Sequence, residues 1–295
     1  MKKNKVNKKW NWWTLLFIGP FFLVFITFFL VPALMGLAVS FTKWDIFDAP
    51  VWVGLKNFKT LLFDSGSIWH IQFIKGFSNT FLFALFTVPL CIIVPLLLAI
   101  LLMNKPRLMG MFQAILYMPT LFAISAVMII WSFLLSISYG PQSLFGLKIF
   151  FTGSQPWAWI ALALVTLWWT MGGNLIIYVA SLNAVNGEMI EAAELDGASR
   201  ARIFFNIQLP SIRDQLLFTT VMTTIAQLNV YGQPLMLTGG GPNDSTHVLL
   251  MYIQNAAFGA GIPQAGMASA MAILLGCGIM VVSIFQFAAV RRMNK

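Results

Sequence analysis

Residues 187–210 read GEMIEAAELDGASRARIFFNIQLP, a polar stretch set between two long apolar runs. Glu188, Glu191 and Glu194 recur every third residue while Met189, Ala192 and Ala193 turn to the other side, the pattern of a short two-faced helix. Gly197 then permits a backbone turn that a side chain resists. Ser199 stands as the N-cap of a second short helix carrying Arg200, Arg202, Phe204 and Phe205, and Pro210 discourages its continuation. The expected product is a compact helical elbow. Its small alanines let another surface approach closely, and the acidic stripe beside them suits arginines.

The surroundings of the elbow are those of a bilayer protein. Of 295 residues, 59% are hydrophobic and only 9% charged, far below the roughly 25% charged residues of a soluble globular domain. Apolar runs cover 14–41, 78–103, 111–137, 157–185, 215–237 and 265–290, each meeting the length of about 20 residues that a helical span requires. The fold expected is an all-α integral membrane protein with six transmembrane helices. The first run far exceeds the apolar region of a secretory signal and reads as a retained anchor. Segments follow: a tail at 1–13, the first helix at 14–41, an outward segment at 42–77, a five-helix core at 78–290 holding the loop 186–213, and a tail at 291–295.

Lysine and arginine fix the orientation. Lys2, Lys3, Lys5, Lys8, Lys9, Lys105, Arg107, Arg200, Arg202, Arg213, Arg291, Arg292 and Lys295 share one side; Lys43, Lys56, Lys59, Lys75 and Lys148 share the other. The richer side is expected to face the cytoplasm, with both termini and the elbow. The net charge of +9 then reflects topology and anionic lipid, with no case for nucleic acid. Trp10, Trp12, Trp13, Trp157 and Trp159 flank spans at interfacial depth. Pro20, Pro32, Pro89, Pro95 and Pro119 lie inside spans and read as kinks.

The chemistry that is missing narrows the function. None of the six runs holds Asp, Glu, Lys, Arg or His, the groups that proton-coupled carriers place at membrane depth. Cys91 and Cys277 fall inside spans as small apolar residues, and His70 and His247 fall in outward segments as solvated or capping groups. A membrane-embedded enzyme is expected to place a nucleophile, metal cluster or carboxylate pair at bilayer depth, and none is read there; nor is there a Gly-x4-Gly-Lys-Ser/Thr phosphate loop. A chain of this kind pumps only if another subunit hydrolyses the fuel.

The spacing Glu191-Ala192-Ala193, three residues, Gly197, nine residues, Ile207-x-Leu209-Pro210 resembles the cytoplasmic coupling loop of permease subunits in binding-protein-dependent ATP-binding-cassette (ABC) importers. Leu237-Thr238-Gly239-Gly240-Gly241-Pro242 with Tyr252, Ala257-Phe258, Gly266 and Ala268-Ser269-Ala270 is similar to the outward loop and last helix of the maltose, oligosaccharide and glycerol-phosphate permeases. Ser40-Phe41 and Val53-Gly54-Leu55-Lys56-Asn57-Phe58 are similar to the segment after their first helix. One departure is Asn186-Gly187, where relatives commonly carry a proline, which is expected to loosen the helix start.

The resemblance implies a type I importer fold, a heterodimer with a second homologous permease, two copies of an ATPase holding ATP and Mg, and an extracytoplasmic binding protein that delivers a sugar. This chain itself would bind no cofactor or metal. Glu188, Glu191, Ala192, Ala193, Gly197, Arg200, Ile207, Leu209 and Pro210 would couple to the ATPase. Gly239, Gly240, Gly241 and Pro242 would either bend toward the binding protein or simply make a tight connection.

A sugar path wants amides, hydroxyls and aromatic planes. The fourth and fifth runs supply them in Trp169, Thr170, Gly173, Asn174, Thr223, Gln227 and Tyr231, and Thr223 and Gln227 share one helical face. Such groups also join helices to one another by hydrogen bonds. The rival functions are a permease of this class for a non-carbohydrate solute, since amino-acid and peptide importers share the elbow, and a facilitative channel or secondary carrier, which gives the elbow no purpose.

Overall fold

The computed structural model describes residues 12–103, 106–146 and 148–293. Trp10 and the lysines at 2, 3, 5, 8, 9, 105 and 295 lie outside the described residues, as do the side chains at 12–15 and 289–293.

The chain starts with α1 (Trp12–Phe25), a π-helical turn (Ile26–Leu30) and α2 (Val31–Val39). They form one unbroken rod, and Leu16–Val39 is long and apolar enough to cross a membrane. Pro32 cannot donate a backbone N–H, and the wider turn just ahead of it accommodates the proline without breaking the rod. From Leu16 onward most of the rod's side chains stand clear of the core, with Phe17 82% and Phe28 76% exposed, as suits a helix whose solvent is hydrocarbon. A small antiparallel ribbon follows, β1 (Thr42–Lys43) with β2 (Val51–Trp52), pairing Thr42 with Trp52. Then comes α3 (Lys56–Phe63).

The scaffold is α4 (Ile68–Met103) packed on α7 (Trp157–Asn183). At 36 residues, α4 is about 54 Å long, so it projects well beyond a hydrocarbon core of about 30 Å. It begins ten residues before the apolar run at 78. Between the two lie α5 (Met109–Tyr117), a 3-10 turn (Met118–Leu121) and α6 (Ile124–Leu134).

The third apolar run is therefore a bent pair, turning by 102° where Pro119 and the extended residues Phe122 and Ala123 interrupt the helix. The fifth run is broken as well, into the 16-residue α11 (Arg213–Leu228) and α12 (Gly232–Leu237). Asn229 and Gly232 are weak helix formers, and Pro234 denies Val230 its helical donor, so the chain turns out at Asn229–Tyr231. Last are α13 (Leu249–Phe258) and α14 (Ala265–Met293). Among the described residues four helices pass as single spans, Leu16–Val39, α4, α7 and Ala265–Ala288 of α14, or five counting the bent pair.

Three apolar clusters stack along this bundle. Ala99, Leu175, Tyr178, Leu182 and Ile212 close one end. Phe83, Val127, Met128, Leu162 and Val165 fill the middle. Leu61, Phe73, Leu249, Tyr252 and Met271 close the other end.

Candidate functional site

The elbow joins α7 to α11 and is built of α8 (Gly187–Leu195), α9 (Arg200–Ile203), a π-helical turn (Phe204–Gln208) and α10 (Leu209–Ser211). Asn186 caps α8, its Oδ1 accepting from the Glu188 N–H at 2.9 Å. An asparagine here therefore fastens the helix start instead of loosening it. Gly197 takes φ +76°, a conformation that L side chains resist, and turns the chain between the two helices. Ser199 accepts from the Arg202 N–H at 3.4 Å, the expected cap. Pro210 does not end the second helix. The π turn before it carries the helix through to Ser211, as the turn before Pro32 does.

Glu188, Glu191, Ala192, Arg200 and Pro210 are exposed, and Ala193, Ile207 and Leu209 are half-buried. Ile203 and Ile212 fold inward. Met189, Leu195 and Phe205 face outward, Leu195 being 90% exposed. Acidic and apolar side chains thus share a surface that nothing among the described residues covers.

Polar groups join the helices behind the elbow. Asn174 Nδ2 donates to Thr223 Oγ1 at 3.0 Å and to the Cys91 carbonyl at 2.8 Å. The Tyr178 hydroxyl meets Thr219 Oγ1 at 2.7 Å, fully buried. Thr170 Oγ1 donates to the Thr166 carbonyl at 2.7 Å, and Gln227 is buried. Gln286 Nε2 of α14 donates to Thr224 Oγ1 at 2.7 Å. Of the residues picked for a cargo path, Thr170, Asn174 and Thr223 are thus engaged in helix-to-helix or local bonds.

Trp169 has a different place. Its indole N–H donates at 3.1 Å to the Phe122 carbonyl, which the break between α5 and α6 leaves free. The break at Asn229–Tyr231 lies close by, since a Cβ on Gly232 would stand 2.6 Å from Ile124 Cδ1. Tyr231, Ile124, Trp168 and Trp169 all pack on the middle cluster. Two interrupted helices and two tryptophans therefore meet at mid-bundle, and irregular backbone at membrane depth is tolerated where protein buries it or where it lines a cavity. The kink read at Pro119 is a full break, and the sequence does not announce the break at Asn229–Tyr231 or the role of Gly172, whose Cβ would stand 2.7 Å from Thr120 Oγ1 and 2.8 Å from Tyr117 Cα; its neighbour Gly173 faces open space.

At the far end, Gly239 and Gly240 both take positive φ, and the Gly241-Pro242 peptide is cis. This loop is tied to α4: Lys75 Nζ donates to the Asn243 carbonyl at 2.8 Å, Asn79 Nδ2 to the carbonyls of Asp244 and His247, and the Leu249 N–H to Thr80 Oγ1. The His247 ring lies 4.0 Å from that of Tyr252, with Asp244 at 3.6 Å. Burial holds the imidazole below its ordinary range against the opposing pull of Asp244, and the Tyr252 phenol is pushed up to about 12 by burial and by the Asp244 charge.

Residues 65–295 match the profile of a family described as the binding-protein-dependent transport system inner membrane component. The chain is 31% identical to the probable ABC transporter permease protein YesP of Bacillus subtilis, over 97% of this chain and 93% of the relative. It is 30% identical to the probable starch degradation products transport system permease protein AmyD of Thermoanaerobacterium thermosulfurigenes, over 97% and 96%. It is 31% identical to the multiple sugar-binding transport system permease protein MsmF of Streptococcus mutans, over 95% of each. In three dimensions it resembles a chain of a bacterial ABC transporter involved in the import of the acidic polysaccharide alginate, with TM-score 0.82 over 96% of both chains at 24% identity, a likeness of fold. The chain belongs to the family of binding-protein-dependent transport system inner membrane components.

Proposed function

We propose that this chain is the permease subunit of an ATP-driven importer that carries a sugar, an oligosaccharide or related carbohydrate, across the cytoplasmic membrane. The observation that carries the reading is the elbow, which offers acidic and apolar side chains on an exposed surface between the two helices it connects. In this reading it sits in the cytoplasm with both termini and docks on one of two ATPase copies, which hold ATP and Mg. Glu188, Glu191, Ala192, Ala193, Gly197, Arg200, Ile207, Leu209 and Pro210 form or shape that contact. A second, homologous permease completes the pore, and α11 with α12 supplies the sixth crossing. The names of the relatives, which concern starch degradation products and multiple sugars, favour carbohydrate over other solutes.

Closure of the ATPase pair would displace the elbow and swing the helices between inward and outward access. The cargo would meet Trp169, Thr170, Gly173, Gln227 and Tyr231 near the paired helix breaks, an uncharged setting that suits hydroxyl groups and ring faces. A binding protein would deliver it to the end that holds Gly239, Gly240, Gly241 and Pro242. The test is to purify the tagged chain in mild detergent, identify the subunits that accompany it, and measure ATP-dependent uptake of a sugar panel in proteoliposomes. Recovery of a nucleotide-hydrolysing subunit and uptake of a carbohydrate are expected. A chain that transports without such a subunit refutes the reading.

A further inference from the structure

Pro95 lies inside α4 and has no N–H to give the carbonyl four residues earlier, that of Cys91. A carbonyl freed by a proline at membrane depth needs another donor. Asn174 of α7 is that donor, at 2.8 Å, and its Nδ2 also reaches Thr223 Oγ1 of α11 at 3.0 Å. One amide nitrogen carries two hydrogens. With two acceptors in reach, both are committed, and a single side chain links α4, α7 and α11.

The link is part of a register. Asn174 pairs with Thr223 and Tyr178 with Thr219, so four residues toward the elbow on α7 match four residues toward the elbow on α11. That is the geometry of two antiparallel helices zipped along facing stripes. Ordinary helix glue needs neither the equal steps nor a third helix. The two zipped helices are the ones that enter and leave the elbow, and the third is joined where its own backbone ladder is interrupted and most easily bent.

We propose that Asn174 is a positioning residue which clasps α4, at the carbonyl that Pro95 leaves free, to the α7–α11 hairpin, so that displacement of the elbow moves all three helices as one body. This rests on the reading that an ATPase displaces the elbow. It takes Asn174 and Thr223 out of the cargo path and makes them part of the transmission. Without the clasp, α7, α11 and the end of α4 packed on them follow the elbow, while α4 bends at Pro95 and its part before the proline lags.

The test uses the full complex in proteoliposomes. Spin labels go on Leu85→Cys of α4, on the far side of Pro95 from the elbow, and Asp214→Cys of α11, both exposed positions, with Cys277→Ala as background. The Leu85–Asp214 label distance is compared without nucleotide and with Mg-ATP plus vanadate, and ATP hydrolysis stimulated by the binding protein is followed alongside. In the otherwise native chain the distance is expected to be the same in both states. In Asn174→Leu and in Thr223→Val it shifts on adding Mg-ATP and vanadate, and stimulation falls roughly fivefold. Thr223→Ser, which keeps the hydroxyl, behaves as the native chain. A Thr223→Val complex that assembles at native yield, with distance and stimulation both unmoved, overturns the clasp. So does a native chain whose label distance itself changes between the states. A native chain that brings down no ATPase defeats the functional reading instead, a different result.

Discussion

The elbow and the glycine loop at the opposite end are both short connections rich in polar residues, and the structure treats them in opposite ways. The loop at 238–247 is fastened to its own chain by Lys75, Asn79, Thr80 and the Thr238–Thr246 hydroxyl contact. The elbow holds itself by caps and by Ile203 and Ile212 and leaves Met189, Leu195 and Phe205 turned outward. A segment that satisfies its own groups is a bearing; one that leaves apolar groups bare is a handle. Glycine serves both. At Gly240 a Cβ would strike the His247 ring at 2.7 Å, whereas around Gly197 there is open space and only φ excludes a side chain.

Substitutions at the two ends sharpen this contrast, in order of their effect on the melting temperature of the purified chain. Gly76→Ala comes first, because the added methyl would lie 2.6 Å from Tyr252 Cδ2 and 2.9 Å from Leu249 Cα, a backbone atom that cannot swing aside. Overpacking of this kind costs about 1 to 3 kcal/mol, and the melting temperature falls accordingly. Gly197→Ala costs less, about 1 to 2 kcal/mol for a left-handed residue, and the strain stays in the elbow. Its larger effect is on transport: hydrolysis continues while uptake is lost, as proteoliposome assays of both activities would show. Leu195→Ser leaves stability within about 0.5 kcal/mol, as exposed positions do, but weakens retention of the ATPase on the tagged chain. If retention is unchanged while stability falls, the elbow is no handle.

Much of this was legible in the sequence. The runs at 78–103, 157–185 and 265–290 appear as the long helices α4, α7 and α14, because hydropathy summed over about 20 residues overrides local detail. The same sum hides interruptions. Pro119 and the cluster Asn229, Gly232, Pro234 mark the two breaks, yet the apolar residues on either side keep each run looking whole. The caps at Ser199 and the turn at Gly197 depend on neighbours within a few residues and were readable. The direction of a membrane-depth hydroxyl was not. Thr223 and Asn174 are visible as polar residues, but only the folded hairpin shows that they bond each other. The close contact at Gly172 is hidden for the same reason, since nothing local tells which of two adjacent glycines abuts Tyr117.

The smallest expected effect comes from the loop end and depends on pH. His247 is largely buried, with Asp244 at 3.6 Å, Tyr252 under its ring and Lys75 beyond Asp244. Desolvation outweighs the carboxylate, so the folded imidazole binds a proton less readily than the ordinary histidine at about 6.5. The unfolded chain therefore takes up more protons than the folded one as pH falls below about 6.5, and stability declines in that direction. Above that value both forms are neutral and the term vanishes. Melting temperatures between pH 8 and pH 5.5, above the range where ordinary carboxylates titrate, should fall on the acid side in the native chain. His247→Phe keeps the ring over Tyr252 and removes the proton, so its curve should be flat across the same window. A native curve that rises toward acid would mean that the Asp244 pairing dominates burial, and the loop would then be clamped by charge more than by packing.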